Sequence, residues 1–263
     1  MPAGQELMEA CVEAARRGGQ VLAERWGRPR TIDRKSTSID LVTDADRASE
    51  EAILGFLDRA FPDASVVAEE TGGRSGRGPL RFHVDPLDGT VNYAHGMPIW
   101  CVTIGVEDAS GLVAGAVLDP LRGELYRTWR GGGAWLGDRR LQVSACTQLG
   151  EALLVTGFPY DVHTQAGPIL DLFGAFTVRA QGIRRLGSAA LDLAYVASGR
   201  LDGFWEGSLK SWDMAAGVLL VQEAGGIATA LTGGGPALAG GSALAAPPAL
   251  HAAMRAVVDG AAR

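Results

Sequence analysis

A chain of 263 residues with 47% hydrophobic and 21% charged residues has the make-up of a soluble globular protein, long enough to bury a large core in one large domain or two small ones. Its formal net charge of -6, with no run of Lys and Arg longer than a pair, argues against nucleic acid as a partner, and its longest apolar stretch, around Met214 to Val221, is far short of the roughly 20 residues needed to span a bilayer. Cys11, Cys101 and Cys146 are too few and too far apart for a disulfide framework or a zinc cluster, and Met1 to Ala15 carries Glu6, Glu9 and Glu13 where an export signal has basic and apolar regions, so a cytoplasmic location is expected.

Apolar residues from Leu7 to Trp26 recur at three- and four-residue intervals and predict a first amphipathic helix, weakened in its middle by Gly18 and Gly19. A second helix is expected to start near Asp44 and to stop at Phe61-Pro62. From Ala64 to Ser144 short runs rich in Val, Ile and aromatics, broken by Gly, Pro and Asp, read as strands: Ser65 to Ala68, Arg81 to Val84, Cys101 to Glu107, Val113 to Leu118 and Glu124 to Thr128. The last three are spaced for an antiparallel meander. Beyond Ala152, a strand at Leu153 to Thr156 and helices after Thr164, at Ser188 to Ala197, at Ser211 to Ala224 and after Pro248 read as α/β. The expected organisation is an α+β half at 1–146 followed by an α/β half at 147–263, without a long linker. The 37 glycines exceed the usual share of about 7% and have no fixed period, which predicts many tight turns and no repeat architecture.

An acidic chain binds an anionic substrate only if something local reverses the field, and divalent cations do so most directly. Carboxylates are therefore the residues to search. Val84-Asp85-Pro86-Leu87-Asp88-Gly89-Thr90 places two acids at the end of an apolar strand, where Pro86 and Gly89 turn the chain. Asp85, Asp88 and the Leu87 carbonyl are hard oxygen donors of the kind Mg2+ prefers, and the Gly89 and Thr90 amides suit a phosphate oxygen. An isolated D-x-x-D-G reads equally as a solvated turn. Glu69 and Glu70 close the preceding strand, so a neighbouring strand could bring Glu69 to the same edge. Asp213 lies in the first turn of a helix, where acids also occur for dipole reasons alone, and the small residues after it favour close backbone approach. Asp40, Asp44 and Asp46 crowd the start of the second helix; Thr43 with Asp46 outlines a capping box, and the functional alternative makes Asp46 the base that works on a water, directly or through the Thr90 hydroxyl.

Taken together, Glu69-Glu70, Asp85-Pro86-Leu87-Asp88-Gly89-Thr90-Val91-Asn92-Tyr93 and Trp212-Asp213-Met214-Ala215-Ala216-Gly217 resemble the signatures of the inositol monophosphatase family in content, order and separation. The resemblance extends to Lys35 to Asp46, Thr156-Gly157-Phe158-Pro159, Arg184 to Ala190 and Glu223-Ala224-Gly225-Gly226. It implies an α/β fold of the sugar-phosphatase type, an αβαβα layered sandwich, forming a homodimer. It also implies Mg2+-dependent hydrolysis of a small-molecule phosphate monoester, with two to three ions. By position, Glu69, Asp85 and the Leu87 carbonyl would hold one metal, and Asp85, Asp88 and Asp213 a second, with a third, weaker ion near Glu69. Asp46, Glu69 and Thr90 would serve the attacking water. Leu87, Gly89 and Thr90 would lie against the phosphate, while Asp88, Gly187, Ser188, Ala189, Glu206 and Asp213 would contact substrate. Val91 in place of a frequent Thr, Lys210 beside Asp213 and the loose Gly-rich segment Thr232 to Gly241 depart from the pattern without removing a ligand.

The expected chemistry is in-line attack of a metal-activated water, with no covalent phosphoenzyme. A haloacid-dehalogenase phosphatase, whose loop reads D-x-D-G-T, is disfavoured because two residues separate the aspartates here. Asn92-Tyr93 and His95-Gly96-Met97-Pro98 resemble the N-F-x-H-G-x-P of inositol monophosphatases, a resemblance that favours inositol phosphate as substrate. Fructose 1,6-bisphosphate, histidinol phosphate and adenosine bisphosphate are the alternatives within the family, and a non-catalytic regulatory relative is the alternative outside catalysis.

Overall fold

The computed structural model describes residues 3–28, 32–34, 41–159, 162–164 and 166–261. Asp40, expected among the acids before the second helix, lies outside them, as does most of the polar stretch from Arg30 to Ser38.

Helix α1 (Gly4–Arg25) buries the expected apolar face, and helix α2 (Asp44–Ala60) starts and stops where the sequence places it. The two glycines in the middle of α1 have a packing reason. A Cβ on Gly18 would lie 2.6 Å from Ser49 Oγ and 2.7 Å from Ile53 Cδ1, and one on Gly19 would lie 2.7 Å from Leu118 Cδ2. The loss of helix propensity allows α1 to press against α2 and the sheet at once. Between the two helices, the short strands β1 (Ile32–Arg34) and β2 (Leu41–Thr43) form an antiparallel pair.

A seven-stranded sheet follows, in sequential order: β3 (Ser65–Ala68), β4 (Arg81–Asp88), β5 (Cys101–Asp108), β6 (Gly111–Asp119), β7 (Glu124–Trp129), β8 (Gly133–Leu136) and β9 (Arg139–Arg140). β3 and β4 are parallel and the other pairs antiparallel. Helix α3 (Thr90–His95) leaves the end of β4. The expected meander is present, but β4 runs past Val84 to Asp88, so the two aspartates belong to the strand and the chain turns only at Gly89.

The second sheet has the order β11-β10-β12-β14-β13, from β10 (Leu153–Thr156), β11 (Gly182–Arg184), β12 (Gly203–Glu206), β13 (Ile227–Thr229) and β14 (Ala243–Ala246). Its helices are α4 (Ala166–Thr177), α5 (Ala189–Ala197), α6 (Ser211–Glu223), the one-turn α7 (Ala237–Gly240) and α8 (Pro248–Ala261). Strands β11 to β14 are three or four residues each, too short for their periodicity to be read from the sequence.

Alternation along the strands builds the layers. Leu154, Trp205 and Leu244 face Leu250, Met254 and Val258 of α8. Their neighbours Val155, Phe204 and Ala245 join a core made with α5 and α6, and that core continues to Cys101, Val117 and Tyr126 of the first sheet. The far face of the first sheet buries Phe82, Val84 and Ile104 against Leu7, Cys11 and Ile53 of α1 and α2. The order is helices, sheet, helices, sheet, helices, the αβαβα sandwich expected from the resemblance. Gly105 and Gly115 let α6 lie on the first sheet: Cβ atoms there would come within 2.6 Å of Ala215 Cβ and 2.8 Å of Ala216 Cα. The small residues after Asp213 therefore serve helix-to-sheet contact.

Candidate active site

On a regular strand, residues three apart point to opposite faces. Asp85 and Asp88 escape this rule because β4 carries a bulge. Asp85 pairs with Thr103 and Asp88 with Cys101, so the span from Asp85 to Asp88 opposes a partner span one residue shorter. The two carboxylates thereby share a face. The bulge is pinned from both sides: Ser49 of α2 donates its hydroxyl to Pro86 O at 2.8 Å, and Leu87 N donates to Asp85 Oδ1 at 3.0 Å. At Gly89 the chain adopts φ +97°, and a Cβ there would lie 2.9 Å from Ile99 O, so glycine is required on both counts.

Strand β3 runs parallel to β4 in a register that sets Ala68 beside Val84, and Glu69 N donates to Val84 O at 3.2 Å. Glu69 thus arrives next to Asp85, as the strand-end reading required. The loop after it is held by Glu50 of α2, whose buried carboxylate accepts from Glu70 N (2.8 Å) and Thr71 N (2.9 Å).

Asp46 completes the capping box and also stands within hydrogen-bond reach of Thr90. Its Oδ2 accepts from Thr43 N (2.8 Å) and Thr43 Oγ1 (2.6 Å), completing the capping box of α2, while its Oδ1 lies 2.9 Å from Thr90 Oγ1. Thr90 Oγ1 is also 3.0 Å from Leu87 O, so its single proton serves one acceptor at a time. Burial outweighs these hydrogen bonds and pushes the Asp46 carboxyl up to about 6.

The second half of the chain closes the site. Asp213 caps its own helix, accepting from Lys210 N at 2.6 Å, so the dipole reading holds, yet its charge also acts on Asp85. Asp88 Oδ2 accepts from Ser188 Oγ (2.7 Å) and Ala190 N (2.7 Å) at the start of α5, which sets Gly187, Ser188 and Ala189 against the Asp88-Gly89 turn. Asn92 Nδ2 ties the same parts together by donating to Ile99 O and Leu186 O, each at 2.8 Å. Asn92 and Tyr93, read from the sequence as markers of substrate preference, are buried and spend their polar atoms on main-chain carbonyls, Tyr93 through Leu22 O at 2.8 Å. Glu206 ends β12, with its carboxylate packed over Gly157: a Cβ on Gly157 would lie 2.1 Å from Glu206 Oε1.

The acids act on one another. Asp85 is raised well above the usual carboxylate range by burial, and further by the charges of Glu69, Asp88 and Asp213. Burial first and then Asp88 raise Asp213, while Lys210 opposes. Glu206 is pushed up to about 8 by burial and by Asp213 and Asp88, with Arg185 opposing. A divalent cation would cancel this repulsion, and the oxygen-only donor set is of the hard type that suits Mg2+. Asp85 Oδ1, Asp88 Oδ2 and Asp213 Oδ2 are engaged by the donors named above, and the second oxygen of each takes part in none of those bonds. Among the described residues no three Asp, Glu, His or Cys side chains are gathered tightly enough to cage an ion as they stand. The fit is therefore one of chemistry and charge, with closure left to side-chain rotation.

Sequence reasoning passed over Ser49, Glu50, Asp192 and the role of Gly157. Asp46, Ser49, Glu50 and Ile53 follow helical spacing on the buried face of α2, and three polar residues on an apolar stripe were the available signal. Asp192, buried in α5 near Glu206 and Asp88, carries an Oδ1 with no hydrogen-bond partner.

The profile of the inositol monophosphatase family matches residues 4–261. An inositol-1-monophosphatase of Mesorhizobium japonicum is 41% identical over 241 residues, 91% of each chain. The Nus factor SuhB of Escherichia coli is 38% identical over 250 residues, 94% of each chain. The crystal structure of the extragenic suppressor protein suhB from Bartonella henselae superposes with a TM-score of 0.92 at 38% identity, covering 96% of this chain and 98% of that one. With the fold, the bulged aspartate pair and these similarities agreeing over almost its whole length, the chain belongs to the inositol monophosphatase family.

Proposed function

We propose that the chain is a Mg2+-dependent phosphatase that hydrolyses a small phosphate monoester, with myo-inositol 1-phosphate as its first substrate. The observation that carries this is the placement of Asp85 and Asp88 on one strand face, flanked by Glu69 and Asp213, with Thr90 hydrogen-bonded to Asp46 at 2.9 Å. Glu69, Asp85, Asp88, Asp213 and the Leu87 carbonyl would hold two to three ions. Bound Mg2+ supplies Lewis acidity at the phosphate and neutralises charge on both sides of the displacement.

The chain's own residues have the following parts. The Thr90 hydroxyl takes a proton from the attacking water as it passes its own to Asp46, whose carboxyl, at about 6, is poised to accept near neutral pH. Glu69 borders the same water. The Gly89 and Thr90 amides receive phosphate oxygens. Asp88, Gly187, Ser188 and Ala189 flank the alcohol, and Glu206 reads its hydroxyls. The half at 1–146 would contribute most metal ligands, and the half at 147–263 would contribute Asp213 and the substrate wall. The resemblance further supports a homodimer in the cytoplasm; no helix among the described residues is long and apolar enough to cross a membrane.

Phosphate release from inositol 1-phosphate, with Mg2+ and with chelator, tests this reading. Fructose 1,6-bisphosphate, histidinol phosphate and an adenosine bisphosphate belong in the same panel. Mg2+-dependent release led by inositol 1-phosphate is expected, and no release from any ester would overturn the reading. Several relatives are named Nus factor SuhB, but the full set of acids favours catalysis over a purely regulatory role.

A further inference from the structure

Glu206 also lines a second space that the polyol reading leaves unused. A cavity of about 310 Å³ lies past the C-terminal ends of the parallel strands β10 and β12, bounded by Thr156 and Gly157 on one strand and by Trp205 and Glu206 on the other. Crevices at the carboxyl ends of parallel strands are where ligands of open α/β sheets gather. The Glu206 carboxylate stands at the border of this cavity on the side of the acidic site: it lines the cavity, packs on Gly157, and the charges of Asp213 and Asp88 act on it.

Apart from Thr156, Ser208 and Thr232, the side chains of the rest of the wall are apolar. Phe158, Ile169, Leu172, Trp205, Leu231 and Val258 line it. Two of these are held by other rings: Trp205 lies on Phe176 with centroids 4.2 Å apart, and Phe158 meets Phe173 edge-on at 5.7 Å. A pocket with aromatic and aliphatic walls, a carboxylate at one border and few other polar side chains suits a ligand that is polar at one end and mostly apolar beyond it. A bare cyclic polyol would leave these walls against water.

We propose that this cavity is an apolar extension of the alcohol subsite, so that the enzyme takes phosphate monoesters whose alcohol carries an aryl or branched alkyl group beyond the hydroxyl that faces Glu206. The inference rests on the phosphatase reading given above and adds to it a substrate class. The ester bond, the attacking water and the products are unchanged. Only the group carried by the leaving alcohol differs.

The test compares two esters that both release a primary alkoxide beside a secondary hydroxyl, the primary monophosphates of 1-phenylethane-1,2-diol and of propane-1,2-diol, alongside inositol 1-phosphate. Removing a phenyl group from water into such a pocket favours the phenyl ester in kcat/KM by about tenfold or more. In Ile169→Glu, which charges the wall, and Leu172→Trp, which fills the space, the ratio of the two values is expected to fall towards one. Equal kcat/KM for the two esters in the wild-type enzyme, or an undiminished ratio in both variants, would overturn the inference while leaving the phosphatase reading intact. No turnover of any of the three esters would overturn both.

Discussion

At the scale of the residue, Asp85 carries the most conflict, since it is buried and raised by three neighbouring acids. Asp85→Asn is expected to lower kcat on inositol 1-phosphate by about a thousandfold or more while the chain still folds, because the amide relieves repulsion in the metal-free state. Thr90→Val leaves the acids in place and replaces the hydroxyl bonded to Asp46 by a methyl of similar size; a loss of about a hundredfold in kcat with little change in KM is expected. Full activity in either variant would contradict the assignment. Gly157→Ala tests the other side of the site. Its new methyl falls 2.1 Å from Glu206 Oε1, so the carboxylate must move and KM for a polyol ester should rise by about tenfold. Of these residues, Asp85 and Thr90 were legible from their motif. Gly157 was not, because the constraint on it comes from a side chain far away in sequence.

At the scale of the element, helix α6 shows how position is set by what is absent. Glycines 105 and 115 let it lie against the sheet, and that contact fixes where Asp213 meets Asp85. Gly115→Val is expected to cost about 1–3 kcal/mol in chemical denaturation and to depress activity more than stability alone explains. Asn92→Ala is its counterpart at α3. It leaves Ile99 O and Leu186 O without their donor, at a cost of about 1–3 kcal/mol, and loosens Gly187 to Ala189 against the Asp88-Gly89 turn. The long helices were legible because period and caps agreed, as at Thr43 and Phe61. Strands β11 to β14 were not, since three or four residues give no pattern and their places are decided by partners distant in sequence.

At the scale of the whole molecule, acids from α2, β4, β12, α6 and the turn after β3 bring charge to one region between the two sheets. Asp46 and Glu206 hold protons up to about 6 and about 8, against ordinary values of 3.8 and 4.5. The folded chain therefore binds these protons more tightly than the unfolded one. Their contribution to stability is full below the ordinary values and is lost as pH rises through about 6 and about 8. Thermal melts in chelator should show Tm falling between pH 6 and 8, and Mg2+ should reverse the fall. A Tm that rises over this range in chelator would count against a shared acidic site. The αβαβα layering followed from the resemblance, whereas the shared core around α5 and α6 follows from side chains of both sheets meeting there.

The bulge in β4 gives the spacing of the two aspartates a meaning that a motif alone does not convey. On an unbroken strand D-x-D sets two carboxylates side by side, and D-x-x-D sets them back to back. Inserting one residue restores parity, and it also takes a peptide out of the ladder, so that a carbonyl which would otherwise bond across the sheet can turn towards the acids. The additional letter in this motif thus frees a main-chain carbonyl, the one that Thr90 Oγ1 meets at 3.0 Å. Deleting Leu87 would remove that carbonyl and straighten the strand while leaving the two aspartates on one face, a loss of the main-chain oxygen alone that no side-chain substitution reproduces.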